Sequence, residues 1–276
     1  MNENSMDRTL YLTEKRGLLI KRDGPSIWIK EKGKSGRRIP ARLINMVFVV
    51  GNIKIDSGVI TLFTENNTPV TFMNNKGEML GVAMPNKKNH SFYTERQKLL
   101  CSTTDLIEEY TVWLKSMKKR LQLNALKQMA YPVAVVYMNK GFRERDYNCI
   151  IDTMKKDKES QWDATRRIVI NIIEEMIIDA LISIGLDPHE GVVNVASNFS
   201  FAKDICDAMA PVADLQSFRF LKSARPYHFI VDTENNCVLS RDGLKKIIFE
   251  FENCKYEFKS SIIMIINSFL DFLRGV

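Results

Sequence analysis

No two of the five cysteines, Cys101, Cys149, Cys206, Cys237 and Cys254, stand as a CxxC pair, and their number is odd. That excludes a disulfide framework and a cysteine zinc site, and it suits free thiols in a reducing cytoplasm. Histidine is as sparse: His90, His189 and His228 lie far apart. No apolar run is long and clean enough to span a bilayer. The richest stretches, Ile168–Leu186 and Ile262–Leu273, carry charged or polar residues and read as buried helices, so no membrane span is expected. No basic leader followed by an apolar core opens the chain, so secretion is not indicated, and neither an internal repeat nor a low-complexity tract is present.

What is there is an ordinary globular balance, 45% hydrophobic and 26% charged over 276 residues, enough for two modest domains or one large one. The formal net charge of +7 favours a polyanionic partner, nucleic acid or a membrane surface, without choosing between them.

The first eighty-odd residues read as strands and turns. Thr9–Leu12 and Leu18–Lys21 flank Glu14–Gly17 like a hairpin, and Ser26–Lys30 follows an Asp-Gly-Pro turn. The basic segment Glu31–Arg38 reads as a loop. Val47–Val50 and Lys54–Ile55 are strand-like, Val59–Glu65 suits a short helix, and Val70–Met73 and Met79–Val82 bracket an Asn74–Gly77 turn. This predicts an α+β chain: a small β-rich domain over residues 1–84, a linker over 85–90 and an all-helical domain over 91–276.

In the second part, Ile107, Tyr110, Leu114, Met117 and Leu121 form one stripe of a helix over Leu106–Met129. Residues Tyr131–Trp162 give no secure reading. Asp163 is placed to cap a helix running to Ile184 with a wide apolar face. Leu244–Phe258 and Ser261–Leu273 are expected as two closing helices. Arg166 and Arg167 sit in a first helical turn, and Arg219, Lys222 and Arg225 recur every third residue. Both sets are candidates for DNA phosphates, with a solvated surface as the alternative.

The most informative stretch is GLDPHEGVVNVASNFSFAKDICD, Gly185–Asp207. Gly185 stops a helix, Val192, Val193 and Val195 suit an extended piece, and a second helix is expected over roughly Phe199–Ala210. On it Asp204 and Asp207, three apart, can converge on one point. A divalent ion would hold two such charges together; the alternative is a pair of helix carboxylates answering Lys203 or Arg219.

GLDPxxGxVx followed by a short polar loop and SFAxDIxD resembles the CRISPR-associated integrase, the first protein of the spacer-acquisition module. YLTEKRGLLIKRDG and the following strands look like that family's amino-terminal β-domain. TERQKLL and WLKSMKKRLQLNAL look like the first helices of its second domain. The resemblance covers most of the chain and is weakest over Tyr131–Trp162. It implies a metal-dependent DNA endonuclease and integrase using Mn²⁺ or Mg²⁺. It also implies a homodimer that acts on duplex or branched DNA with the small second CRISPR-associated adaptation protein. By the same resemblance Asp207 is a metal ligand, Asp204 an accompanying acid, and Asn194 stands where the family usually has a liganding histidine. The family's Glu-Gly pair, source of its first metal-binding glutamate, has no counterpart here. Glu144 is the candidate by position, the alternative being a solvated side chain among Arg143 and Arg145. An uncharged amide in place of imidazole weakens such a site, which leaves two expectations: an impaired enzyme, or a silent DNA-binding scaffold of that family.

Overall fold

The computed structural model describes residues 8–15, 17–85 and 92–276. The chain divides into two units, Met1–Lys88 and Asn89–Val276. The expected linker, 85–90, falls outside the described residues beyond Pro85.

The first unit contains β1 (Arg8–Thr13), β2 (Leu19–Asp23), β3 (Ser26–Lys30), β4 (Arg37–Pro40), β5 (Ile44–Val50), α1 (Ser57–Glu65), β6 (Val70–Met73) and β7 (Met79–Ala83). One sheet has the order β1-β5-β6-β7, with β5 parallel to both neighbours and β7 antiparallel to β6. A central strand with parallel neighbours is covered on both faces, which is why INMVFVV runs apolar instead of alternating. Met46, Val47, Phe48, Val49 and Val50 are all buried. A second, antiparallel sheet has the order β2-β3-β4. Asp56 caps α1 by accepting from the Gly58 N–H at 3.0 Å, and Val59, Leu62 and Phe63 point into the core.

The expected β1–β2 hairpin does not form. β1 lies instead beside β5, placing Leu10 opposite Val47 and Leu12 opposite Val49, while β2 pairs with β3. Burying two leucines against the most apolar strand of the unit overrides the local turn. The Glu31–Arg38 loop holds up to Gly36, after which β4 begins.

The second unit contains α2 (Phe92–Ser102), α3 (Thr104–Met129), α4 (Tyr131–Lys140), α5 (Glu144–Lys155), α6 (Glu159–Ser183) and α7 (Ser200–Ser223). A short antiparallel pair, β8 (Phe229–Val231) with β9 (Cys237–Leu239), follows, and α8 (Arg241–Gly275) ends the chain. That pair is the exception within an otherwise helical unit. The α+β class stands. No helix among the described residues is long and apolar enough to cross a membrane.

α7 is the hub, packed against α3 on one side and α6 on another. Phe269 of α8 joins Phe201 of α7 to Tyr110 and Trp113 of α3, with ring centroids 4.6–5.9 Å apart. Three helix boundaries differ from the sequence reading. α6 begins at Glu159, leaving Asp163 inside it, because Trp162 is 1% exposed and draws the preceding turn into the core. α7 runs through Pro211 to Ser223, well beyond Ala210, since its later residues are as buried as its first. α8 is one helix. No glycine or proline stands between Phe258 and Ser261, and the Ser261 hydroxyl donates back to the Glu257 carbonyl at 3.0 Å.

Candidate functional site

The loop between α6 and α7 is built around carbonyl and carboxylate acceptors. α6 stops in a Schellman motif: Leu186 N–H donates to the Leu181 carbonyl at 3.0 Å and Gly185 N–H to Ile182 at 3.2 Å. Gly185 takes the required left-handed φ of 80°. The Pro188 carbonyl then accepts from the N–H groups of Phe201 and Ala202, at 3.0 and 3.2 Å, so the loop caps the helix that follows it. Gly191 passes so close to α7 that a Cβ there would lie 2.3 Å from the Ser200 carbonyl carbon.

α2 holds the loop from outside. The fully buried Gln97 donates to the carbonyls of Asp187 and Glu190, at 2.7 and 2.9 Å, and accepts from the Asp187 N–H at 3.0 Å. The Thr94 hydroxyl donates to the Gly185 carbonyl at 2.9 Å. The Cys101 thiol faces the Glu190 and Gly191 carbonyls, and burial, with Glu190 and Asp204 adding to it, pushes its pKa up to about 11. It is therefore no nucleophile at neutral pH.

Asp204 lies at the centre, with no exposed surface. Its Oδ2 accepts from the N–H groups of Val192 at 2.9 Å and Val193 at 3.1 Å, and from the Tyr110 hydroxyl at 3.2 Å. Its Oδ1 accepts from the Asn194 N–H at 2.8 Å and the Asn194 side-chain amide at 2.9 Å. Three successive backbone N–H groups thus wrap one carboxylate. This corrects the extended piece expected over Val192–Val195: those donors are used by a side chain, and the segment is a turn, not a strand.

The second amide hydrogen of Asn194 goes to Asp207 Oδ2 at 2.9 Å. The half-buried amide therefore bridges the two aspartates as a donor. The opposite orientation would set its oxygen against two carboxylates. Asp207 itself is exposed. Beside it Glu174 of α6 is 8% exposed, with the Lys203 ammonium 3.9 Å away. Burial raises the Glu174 pKa; Lys203 opposes the shift and Asp207 adds to it. Sequence reasoning missed Glu174, although a carboxylate within NIIEEMII was the available signal.

A Mg²⁺ or Mn²⁺ ion needs several oxygens aimed at one point. Asp204 has both oxygens engaged by five donors, Asn194 presents N–H groups, and Glu174 sits beside a lysine. Among the described residues no three His, Cys, Asp or Glu side chains form a metal-holding group. As arranged, this donor set does not fit the ion. His189 does not join it: the ring stacks on Phe199 at 4.6 Å and bonds the Asn198 carbonyl.

Glu144 is not brought to this cluster. It opens α5 and pairs with Lys118 of α3 at 2.5 Å, in a hollow of about 150 Å³ lined by Lys115, Lys118, Lys119 and Gln122. The expected phosphate contacts are scattered. Arg166 donates to the buried Asp214 at 2.7 Å, which also accepts from the Tyr147 hydroxyl at 2.9 Å. Arg167 is half-buried. Arg219 pairs with Glu257 at 3.0 Å and Lys222 stands 4.3 Å over the Phe218 ring. Arg225 is exposed but lies past the end of α7, so the three do not share one helix edge. Lys115, Lys119 and Arg120, on α3, are exposed and were not singled out.

The family model for "CRISPR associated protein Cas1" matches residues 10–130, which stops short of the Asn194 loop. Against curated protein sequences the chain has no match. A solved Cas1 protein from Thermotoga maritima is 16% identical with a TM-score of 0.79, covering 97% of this chain and 97% of that one. A casposase bound to integration product is 18% identical with a TM-score of 0.69, covering 89% of this chain and 82% of that one. A TtCas1–DNA complex is 14% identical with a TM-score of 0.52, covering 98% of this chain and 97% of that one. At these identities the likeness to each structure is one of fold.

Proposed function

We propose that the chain belongs to the CRISPR-associated Cas1 family and is an integrase-like DNA-binding protein of spacer acquisition whose own metal site is not assembled; the family-model match over residues 10–130 and the Cas1-like fold support this reading. The observation that carries the second half is the Asn194 amide, which donates to Asp204 at 2.9 Å and to Asp207 at 2.9 Å where a catalytic ion would need oxygens. Phosphodiester chemistry of this class needs charge neutralised on the phosphate and an oxygen nucleophile activated, and a bound divalent ion supplies both. Here an uncharged amide already occupies one oxygen of each aspartate with its two N–H groups.

In this reading the protein contributes DNA affinity and assembly. The net charge of +7 and the exposed α3 residues Lys115, Lys119 and Arg120 support a phosphate-binding surface. The same reading takes the chain to act as a homodimer with the small second CRISPR-associated protein as partner.

The test is cleavage of branched DNA and strand transfer with Mn²⁺ by the natural protein, Asn194→His and Asp207→Ala. The natural protein is expected to be inert while still binding the DNA. Robust natural activity abolished by Asp207→Ala would refute a silent site. Activity gained by Asn194→His would identify the imidazole as the missing ligand, and an inert Asn194→His would assign the defect to the absent glutamate as well.

A further inference from the structure

The β8–β9 hairpin of the second unit leaves one edge open. β9 packs on α6, and among the described residues β8 has no strand on its other side. Ser240 N–H donates to the His228 carbonyl at 2.8 Å and Asp232 N–H to the Asn236 carbonyl at 2.9 Å, so His228, Ile230 and Asp232 turn their backbone groups toward β9. By the alternation of an antiparallel ladder, Phe229 and Val231 turn theirs outward. The side chains along this edge are apolar and uncovered: Tyr227, Ile230 and Val231 are 66%, 52% and 65% exposed. Phe229–Val231 contains no lysine, proline or bulge, the usual protections of a free edge. Charge is divided between the two ends. Arg225 and Arg241 lie at the start of β8, where Asp242 is answered by Lys245 at 3.0 Å. Asp232 and Glu234 lie at its end, in the turn to β9.

We propose that β8 takes a second copy of this chain as its missing neighbour, antiparallel about a two-fold axis through Ile230. Phe229 of each copy then stands opposite Val231 of the other. The two N–H and two C=O groups that each copy turns outward make four hydrogen bonds across the axis. The Ile230 side chains meet at the axis as a non-hydrogen-bonded pair, the closer kind. The pairing also lays the acidic end of each β8 beside the basic end of the other, whereas a parallel pairing would set like charges together. A foreign strand would have to carry the same charge order; this chain supplies it by symmetry. The contact is small, so the association is weak and reversible. It does not rest on the homodimer proposed above, which names no surface.

Ile230→Cys tests the axis. Non-hydrogen-bonded partners have Cα atoms about 4.5 Å apart, within disulfide range, so copper-phenanthroline should join this variant into covalent dimers much faster than the natural chain. Cys237 stands opposite Val231, on the other face of the ladder, and is kept out of that bond. Val231→Pro removes an outward N–H and no β8–β9 bond. Sedimentation equilibrium should show its self-association weakened about tenfold or more, with an unchanged melting temperature. Arg225→Glu should weaken association severalfold and Arg225→Glu with Glu234→Arg restore it, an arm that serves if the proline variant does not fold. Absence of the cross-link, or self-association untouched by all these variants, overturns the proposal. In the latter case another surface joins the copies: the homodimer reading survives and this edge is left to a strand from a different protein. A natural chain that stays monomeric at every concentration refutes both.

Discussion

Tyr110 donates its hydroxyl hydrogen to Asp204 at 3.2 Å, both side chains having no exposed surface, and so ties the second turn of α3 to the start of α7. Burial, with the charge of Asp204, holds the phenol pKa well above its ordinary value, so it donates at every physiological pH. Asp204→Ala would strand three backbone N–H groups. Urea unfolding should show a loss of about 3–5 kcal/mol, against about 1–2 for Tyr110→Phe, which removes one donor of five. If Asp204→Ala is as stable as the parent, the carboxylate is not the organiser of the loop.

Gly191→Ala should be nearly as damaging for a different reason. The new methyl would sit 2.3 Å from the Ser200 carbonyl carbon, which is backbone and cannot swing away. A loss of at least about 2 kcal/mol is expected, together with faster amide exchange at Val192–Asn194. An unchanged melting temperature would contradict the close approach.

Glu174→Gln should stabilise the protein at pH 7. The folded carboxyl, raised above 4.5 mainly by burial, holds its proton more tightly than the unfolded one, so stability falls as pH rises through the raised pKa. The variant, with nothing to ionise, escapes that fall. Its advantage should vanish below about pH 4.5, where parent and variant are both neutral at this position. Denaturant midpoints from pH 4 to 8 decide it; a variant less stable at pH 7 would mean that the Lys203 ion pair outweighs burial.

DNA affinity should depend more on α3 than on the end of α7. Lys115→Ala with Lys119→Ala should lower the slope of log K against log salt by up to about 2, roughly 0.9 for each phosphate no longer neutralised. Arg166→Ala should leave that slope intact and cost about 1–3 kcal/mol of stability instead, because its partner Asp214 is buried. An unaltered slope in the lysine variant would move the DNA path elsewhere.

Much of this was legible in the residues. β3, β6, β7 and α1 follow from short apolar runs between turn residues, and the Asp204–Asp207 pair from their spacing on a helix. What escaped was non-local. β1 takes its partner from thirty-odd residues away, which no turn pattern reports. The Val192–Val195 piece has strand-forming residues, yet its first three N–H groups are claimed by a carboxylate ten to twelve positions on. Arg166 reads as a phosphate contact or a solvated cation until Asp214 is folded beside it, and Glu144 as a candidate ligand or a solvated side chain until Lys118 is.

The wrapping of Asp204 by five donors bears on how the motif is read. Here the acid is needed by its own loop whether or not a metal is held beside it. The SFAxDIxD pattern therefore reports a structural need of this loop before it reports any chemistry. The informative letter for chemistry is the one at position 194, which this fold accommodates as an amide.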